Sequence, residues 1–454
     1  MDRHGLLDRV SQLDLSNLRV EARGQPMHVA ALIILEGQPD LDVLQGIVER
    51  RLGQAPRLRQ VLYRPPPGLG PPVWVANEDF DVRRHVRAQP VPEPGDEASL
   101  LRACAELNQD PLDRSRPLWQ MWLLTGLAED RCGLLIRLHH VVADGIASLG
   151  MLGALFDPDP GTQACDPPPR APQPVPRVTA LAADQLRRQK LLLRALAVRL
   201  SHPRAMVARL AVLARQAGQL AREGRAPRVS LNVPVTGHRR VLLIRADLEQ
   251  ARTVGHAHGG TVNDVVLAAV AGGARNLLRS RGELRPGLVL KASVAASVRD
   301  PADRRAAGNR VGVMIVPLPV AEADPDRRLT GIAAATARRK TLPPYQPGGR
   351  LAQRWMAAVM SRQRLVNVLV SNLPGPGAPL RLGGARVLEM FQIGVVQGNL
   401  TVSVGALSYA GQLNLGIAAD VAAVSDAEVF AAGISDTLGI LGVRQMPTGE
   451  RSWR

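Results

Sequence analysis

Two adjacent histidines, His139 and His140, precede an Asp144-Gly145 pair within the stretch LHHVVADGIASLG. The apolar run that begins at Cys132 and ends at these histidines predicts a buried strand, and Asp-Gly is typical of the turn that follows a strand. Imidazole has a pKa near neutrality, which suits it to general acid–base work. The pair at the strand end therefore predicts a site of proton transfer.

A metal site and a purely structural role are the alternatives to proton transfer. Adjacent strand residues point to opposite faces, so the pair is a poor metal clamp, and we expect no metal. Taken alone, either histidine could instead be a buried structural residue with no catalytic role. The sequence lacks the GxSxG motif of serine hydrolases, which disfavours a serine nucleophile. A histidine base without a protein nucleophile predicts direct attack by a substrate hydroxyl or amine. The remaining histidines give no HxxxH or HExxH spacing: His4, His28, His85, His202, His238, His256 and His258.

The elements that position this site mix strands with helices in both halves of the chain. Hydrophobic periodicity predicts strands over 27–37, 80–88, 130–140, 239–248, 288–297, 311–320 and 400–409. It predicts helices over 41–52, 97–107, 261–280, 329–340 and 426–441. The chain of 454 residues exceeds what one core usually serves. We therefore expect two α/β lobes, 1–160 and 236–454, joined by a Pro-rich linker and basic helical crossover over 161–235.

The composition predicts a cytoplasmic protein. The three cysteines lack CxxC spacing and give no disulfide or zinc framework. The N-terminal stretch MDRHGLLDRVSQLDLS carries charges within its first apolar residues and is a poor signal peptide. The sequence holds no run of 18 apolar residues, which disfavours a membrane-spanning helix.

Nearly half of the net charge of +17 lies in segment 178–226, which holds ten Lys and Arg residues against Asp184 and Glu223. Arg187, Lys190 and Arg194 share one face of a predicted helix rich in leucine, alanine and valine. Such a basic amphipathic helix suits an anionic membrane surface, although a solvated linker helix is the alternative. Nucleic acid is a disfavoured partner because the segment lacks interleaved aromatic residues.

Residues 139–145 match the HHxxxDG signature of acyltransferases with the chloramphenicol-acetyltransferase-like fold, a motif shared with condensation domains and plant acyltransferases. Further segments make the resemblance more selective: 11–37, 80–95, 111–119, 230–240, 261–266, 308–319 and 370–380. Together they resemble the bacterial wax ester synthase/diacylglycerol acyltransferase family over almost the whole chain. The resemblance implies an α/β fold of two chloramphenicol-acetyltransferase-like lobes, each a mixed β-sheet flanked by helices, with the active-site channel between them.

The resemblance also implies an acyl-CoA-dependent O-acyltransferase in which His140 is the general base. Acyl-CoA would be a co-substrate, with no cofactor, and the acceptor would be diacylglycerol or a long-chain alcohol, giving triacylglycerol or wax esters. His139 would support or pack the site. Asp144 would pair with an arginine, for which Arg299 is the candidate, and Gly145 would allow close backbone approach. Peripheral association with the inner membrane face or lipid droplets is expected.

Other family positions have both functional and structural interpretations. Asn263-Asp264 resembles a pair near the active-site channel, but Asn263 is also a good helix N-cap. Trp119, at the end of PLDRSRPLW, would shape the wall of the acyl channel and contact substrate. Ser371 and Asn372 would donate hydrogen bonds to the developing oxyanion, although a turn before the following prolines explains them as easily.

The sequence departs from the family pattern in two places. ASVAASVR lacks the expected proline in the strand before the arginine, and EMFQIGVVQGNLTVSV lacks a proline-rich loop before its glycine. Both departures predict a reshaped acceptor pocket. A non-catalytic relative that binds acyl-CoA or lipid is the alternative function, and condensation-type amide formation is disfavoured because no carrier-protein module is recognised.

Overall fold

The computed structural model describes residues 6–11, 14–15, 18, 21, 27–142, 150–157, 174–202, 207, 211, 218, 224–297, 311–341 and 362–446. Its strands are β1 (His28–Glu36), β2 (Gln60–Tyr63), β3 (Val73–Ala76), β4 (Val86–Pro90), β5 (Trp119–Leu127), β6 (Arg131–His139), β7 (Arg239–Asp247), β8 (Leu290–Ser297), β9 (Val311–Leu318), β10 (Val368–Pro374), β11 (Arg381–Leu382), β12 (Ala385–Ile393), β13 (Val402–Tyr409) and β14 (Gln412–Asp420). Its α-helices are α1 (Leu41–Arg51), α2 (Glu97–Leu107), α3 (Val178–Ser201), α4 (Leu248–Ala257), α5 (Val262–Ser280), α6 (Pro325–Lys340) and α7 (Ala427–Ile440).

Two mixed sheets of six strands each organise the molecule. The N-terminal sheet has the order β11-β12-β1-β6-β5-β4, with β4 and β5 parallel and the other neighbours antiparallel. The C-terminal sheet has the order β7-β14-β13-β10-β8-β9, in which β10 is parallel to both β13 and β8. Strands β2 and β3 form a separate hairpin. The expected α/β fold with two sheet-rich lobes is confirmed.

The predicted strand over 130–140 is β6, which is buried along nearly its whole length between β1 and β5. Alternation along the strands gives the sheet two packed faces. Ile33, Ile136 and Leu138 belong to the core that includes side chains of α1. Leu32 and Leu135 belong to the core that includes side chains of α2. Both faces are apolar because a helix or the other lobe covers each one.

The predicted strand over 80–88 is wrong in its first half. Residues Val82–Arg84 form a short 3₁₀ turn, and β4 begins only at Val86. Asp81 stabilises this turn because its carboxylate accepts the backbone N–H of Arg83 at 3.0 Å. An acidic residue that caps a turn in this way competes with strand formation.

Strand β12 belongs to the N-terminal sheet although it comes from the last third of the chain. Because the two-residue β11 covers only one end of its outer edge, most of that edge faces the C-terminal sheet. Side chains of the C-terminal sheet donate to carbonyls of β12: Tyr409 Oη to Val387 (3.0 Å), Gln412 Nε2 to Leu388 (3.3 Å) and Asn414 Nδ2 to Met390 (3.1 Å). The N-terminal sheet therefore contains strands from both sides of residue 236, where the second lobe was predicted to begin. The predicted domain boundaries stay a prediction.

A buried ion cluster joins the lobes beside β12. Arg245 of β7 pairs with Glu389 of β12 (Nε to Oε1, 2.7 Å) and with Glu97 at the start of α2 (Nη2 to Oε2, 2.5 Å). Its guanidinium also lies 5.0 Å from the ring centre of Phe391. Burial lowers the pKa of Arg245, but the two carboxylates raise that pKa by more, so the guanidinium stays charged. The cluster links β7 of the C-terminal sheet to both β12 and α2.

Helix α3 packs against the N-terminal lobe only through its first half. Leu181 is buried against the β2–β3 hairpin. Asp184 accepts hydrogen bonds from Arg9 (Nε, 2.5 Å) and from Arg188 (Nε, 3.0 Å). From Gln189 onward every residue whose burial is described is exposed. None of the described helices is long and apolar enough to cross a membrane.

Candidate active site

The two histidines lie where β6 leaves the centre of the N-terminal sheet. His139 is paired with His28 of β1, and its backbone N–H donates to the carbonyl of Leu118 at 3.0 Å. His140 extends the same ladder by one residue, since its N–H donates to the carbonyl of Met27 at 2.9 Å. The backbone that carries the imidazoles is therefore held from both neighbouring segments.

His139 is completely buried, and one of its two ring nitrogens forms a hydrogen bond with a described residue. Nδ1 accepts the backbone N–H of Val141 at 2.9 Å, so this nitrogen carries a lone pair. The other ring nitrogen, Nε2, lies 3.3 Å from Oε2 of Glu21. Arg114 holds the same carboxylate, with its Nε 2.9 Å from Oε2. A half-buried arginine, a buried carboxylate and a buried imidazole thus support the turn from behind.

Glu21 stays ionised in this environment. Burial raises the pKa of Glu21, but its interactions with His139 and Arg114 lower that pKa by more, to about 2. Glu21 lies in the segment EARGQPMHV and Arg114 in PLDRSRPLW, both of which were parts of the family resemblance. The sequence did not single out either residue, because their contact joins positions far apart in the chain.

His140 is half-buried, in contrast to His139. The alternation of β6 places Leu138 and the position of His140 on one face and His139 on the other. The expected loop partners cannot be placed, because Asp144, Gly145 and Arg299 lie outside the described residues. Of the two imidazoles, that of His140 is therefore the more exposed.

Two further histidines near the sheet have structural partners. Nε2 of His28 donates to the carbonyl of Asn108 at 2.7 Å, and burial, followed by the charge of Arg137, lowers the pKa of His28 to about 3. His85 stacks on Trp119 at 4.7 Å between ring centres, and burial lowers its pKa. Both rings are therefore uncharged at neutral pH. No group of three His, Cys, Asp or Glu that could hold a metal occurs among the residues that the structure describes.

Trp119 packs behind the site. Its side chain is buried, and its indole N–H donates to the carbonyl of Leu58 at 2.7 Å. Its carbonyl lies 2.9 Å from Nδ1 of His85, which donates to it. The preceding residue is Leu118, whose carbonyl holds His139. Trp119 thus fixes the start of β5 next to the end of β6, and its polar hydrogen already has a partner.

The Asn263-Asp264 pair lies in the first turn of α5, and the proposed N-cap role of Asn263 is wrong. The N-cap is Thr261, whose backbone N–H and hydroxyl both donate to Oδ2 of Asp264 at 2.8 Å. Asp264 is buried, while Asn263 is half-buried. Asp264 therefore stabilises the start of a core helix in the C-terminal lobe.

Two glycines later in α5, Gly272 and Gly273, allow α7 to pack closely against this helix.

Ser371 and Asn372 are half-buried and lie within β10 rather than in the turn that follows it. They pair in register with Gly405 and Ala406 of β13. The hydroxyl of Ser371 accepts a hydrogen bond from Nε2 of Gln392 at 3.3 Å, and Gln392 belongs to β12 of the other sheet. The sequence did not single out Gln392 as a partner of this candidate residue. Its only sequence signal was the departure from the family pattern in EMFQIGVVQGN.

Family comparisons cover both halves of the chain. Residues 10–266 match the model of the wax ester synthase/diacylglycerol acyltransferase catalytic domain, and residues 307–441 match that of the WS/DGAT C-terminal domain. A Mycobacterium tuberculosis protein named as probable diacylglycerol O-acyltransferase tgs1 is 32% identical over 457 residues, with 96% of each chain covered. A second protein from M. tuberculosis, also named as a diacylglycerol O-acyltransferase, is 31% identical and covers 90% of this chain and 85% of its own length.

Solved structures share the two-lobe architecture. The wax ester synthase/diacylglycerol acyltransferase from Marinobacter aquaeolei VT8 superposes with a TM-score of 0.66 at 25% identity, covering 96% of this chain and 98% of its own. The starter condensation domain of rhizomide synthetase, solved with C8-CoA, superposes with a TM-score of 0.61 at 15% identity, covering 96% and 94%. The second similarity is one of fold.

Proposed function

The chain belongs to the wax ester synthase/diacylglycerol acyltransferase family and is an acyltransferase, and we propose that His140 is the general base of its reaction. The acyl donor is a long-chain acyl-CoA. The acceptor is the hydroxyl of diacylglycerol or of a long-chain alcohol, so that the products are triacylglycerol or wax esters and the chain acts in lipid and glycerol metabolism.

The observation that carries this proposal is the placement of two adjacent imidazoles in different environments. His139 is enclosed and its ring atoms face Val141 and Glu21. His140 is half-buried, and its backbone is held by Met27. A general base must reach the proton it removes and must keep a fixed position. The partial exposure of His140 and the hydrogen bond of its backbone to Met27 support this role.

The reaction then needs no covalent intermediate with the protein. His140 removes the proton of the acceptor hydroxyl while that oxygen attacks the thioester carbonyl of acyl-CoA. The new C–O bond forms, the C–S bond breaks, and the CoA thiolate leaves with the proton that His140 returns. Base catalysis of this kind typically contributes roughly 10²–10⁴ in rate.

The other expected site residues act around this base in our proposal. The family resemblance supports an Asp144–Arg299 pair that orders the loop and a close backbone approach at Gly145. Ser371 and Asn372 would stabilise the oxyanion. Trp119 and the Asn263-Asp264 pair would hold the architecture, since Trp119 and Asp264 are buried with structural partners.

We also propose that α3 holds the enzyme on the cytoplasmic surface of an anionic membrane or a lipid droplet. Arg187, Lys190 and Arg194 are exposed, whereas Arg188 pairs with Asp184 and belongs to the fold. The same helix exposes apolar side chains to about half or more of their surface: Leu186, Leu191, Leu192, Leu193, Leu196 and Val198. Cations beside exposed leucines suit attachment to an anionic lipid surface.

A parallel acceptor assay tests the proposed function. The purified chain is given a long-chain acyl-CoA with diacylglycerol or a long-chain alcohol in the same detergent, and released CoA and ester product are measured. We expect one ester bond for each CoA released. Binding of acyl-CoA with neither CoA release nor ester formation would identify a non-catalytic lipid-binding relative instead.

A further inference from the structure

Three polar side chains, those of Gln392, Ser371 and Ser403, lie along the seam between the two sheets. Gln392 projects from β12, and its Nε2 lies 3.3 Å from the hydroxyl of Ser371 on β10. Ser403 and Ser371 both lie on the face of the C-terminal sheet that β12 crosses, because Gly405 pairs with Ser371 and is two residues from Ser403. Gly405 lets β12 approach, since a Cβ there would be 2.6 Å from the Gln392 carbonyl oxygen.

Two buried atoms of this seam have no hydrogen-bond partner among the described residues. They are Oε1 of Gln392 and Oγ of Ser403. Turning the Gln392 amide over exchanges its oxygen and nitrogen but still leaves at least one N–H available to donate. Buried polar atoms are nearly always paired, so a group that can donate or accept hydrogen bonds is expected beside each of these two side chains.

A chain of contacts connects the seam with His140. Gly394 packs against Ser403, since a Cβ on Gly394 would lie 2.9 Å from the Ser403 oxygen. The next residue, Val395, packs against Met27. The carbonyl of Met27 accepts the backbone N–H of His140. The seam therefore lies in the neighbourhood of the base, between the lobes.

We propose that Gln392 and Ser403 form a polar subsite that binds the ester carbonyls of diacylglycerol, and that this subsite favours diacylglycerol over a simple alcohol as acceptor. The proposal rests on the proposed function. A long-chain alcohol carries only the oxygen that reacts, whereas diacylglycerol brings two ester carbonyls close to its hydroxyl. The Ser403 hydroxyl and the Gln392 amide can each donate to such a carbonyl. A fully apolar acceptor would leave both groups unpaired, which penalises binding.

The experiment compares two acceptors for each variant. The full chain is assayed with one long-chain acyl-CoA and with diacylglycerol or hexadecanol in matched micelles. Ser403→Ala and Gln392→Leu each remove one donor. Ser403→Thr keeps the hydroxyl, and Ser408→Ala alters the same strand where its hydroxyl accepts the Gly375 N–H instead. Thermal unfolding is measured for every variant.

We expect Ser403→Ala and Gln392→Leu to lower kcat/KM for diacylglycerol by roughly two- to tenfold each, mainly through KM, with hexadecanol turnover unchanged or raised. Ser403→Thr and Ser408→Ala should keep the wild-type ratio between acceptors. An unchanged ratio in the two donor-removing variants, or an equal loss with both acceptors, overturns the subsite. If one of the two donor-removing variants unfolds, the test rests on the ratio of the two acceptor activities in the other donor-removing variant, compared with that in Ser403→Thr. A wild-type chain inactive with both acceptors would contradict the proposed function itself.

Discussion

Nε2 of His139 lies 3.3 Å from Oε2 of Glu21, behind the turn whose next residue is His140. Two identical side chains in adjacent positions thus have different environments, since His139 is enclosed beside a carboxylate and His140 is half-buried. The alternation of a strand produces this difference without any further device. Glu21 comes from the start of the chain and also pairs with Arg114. Its carboxylate therefore links the histidine turn to two segments that are distant in sequence.

Replacing Glu21 should destabilise the protein in a pH-dependent way. The pKa of Glu21 is lowered from 4.5 to about 2, so its stabilising effect is complete above pH 4.5 and is lost as the pH falls through 2. Glu21→Gln should lower the free energy of unfolding by about 1–3 kcal/mol at pH 7, since it removes buried charged hydrogen bonds. Urea unfolding at pH 7 and pH 3 measures the difference, which should shrink at pH 3.

A surface carboxylate provides the matched control for that experiment. Glu428 pairs with Arg240 and is 60% exposed. Glu428→Gln should change the unfolding free energy by less than about 1 kcal/mol at either pH. If the Glu21→Gln deficit were the same at both pH values, the depressed pKa of Glu21 would be wrong.

The two histidines should separate chemistry from stability. His140→Ala should lower kcat by more than about tenfold while the melting temperature stays near wild type, because a half-buried base can be removed without opening the core. His139→Ala should lower the melting temperature because it leaves Glu21 partly unpaired in a buried site. Ester formation and thermal unfolding are measured on both variants. A His140→Ala enzyme with more than a tenth of wild-type turnover would remove the general-base assignment.

Trp119 and Trp122 offer a matched pair on β5. The indole N–H of Trp119 donates to the Leu58 carbonyl, whereas the buried Nε1 of Trp122 has no partner among the described residues. Trp119→Phe should therefore cost about 1–2 kcal/mol of unfolding free energy, and Trp122→Phe should cost little or stabilise. Urea unfolding of both variants measures this. Equal costs would mean that the Leu58 hydrogen bond is not what holds Trp119.

Attachment through α3 should have an electrostatic and an apolar part. Arg187→Glu, Lys190→Glu and Arg194→Glu together should reduce sedimentation with anionic vesicles and remove its salt sensitivity, since each cation contributes about 1 kcal/mol near such a surface. Leu192→Ser and Leu193→Ser should weaken binding at any salt concentration. Arg188 stays unchanged because it pairs with Asp184. If the wild-type protein did not bind anionic vesicles at low salt, α3 would be a linker and not a membrane anchor.

The sequence predicted those parts of the fold whose signal is local. The run from Cys132 to His140 agrees with β6 (Arg131–His139) to within one residue at each end, and TVNDVVLAAVAGGARNLLRS is α5 with one further residue at its start. The predicted strand at 80–88 was partly wrong because the cap at Asp81 decides the backbone there. Glu21 and Gln392 were not found, since their roles depend on partners that are distant in sequence, and no periodicity reports such a contact.

The position of β12 sets an order of events during synthesis. Its neighbour β1 leaves the ribosome more than 300 residues earlier, yet one side of β1 stays unpaired until Ala385–Ile393 arrives. Strands so far apart in sequence pair slowly, because the entropy of closing the long loop is lost before the contacts between the strands form. Until then β1 offers an apolar strand edge to other chains, a recognised route to aggregation. A fragment that ends before residue 385 would therefore be expected to recover poorly in soluble form, however complete its own motifs.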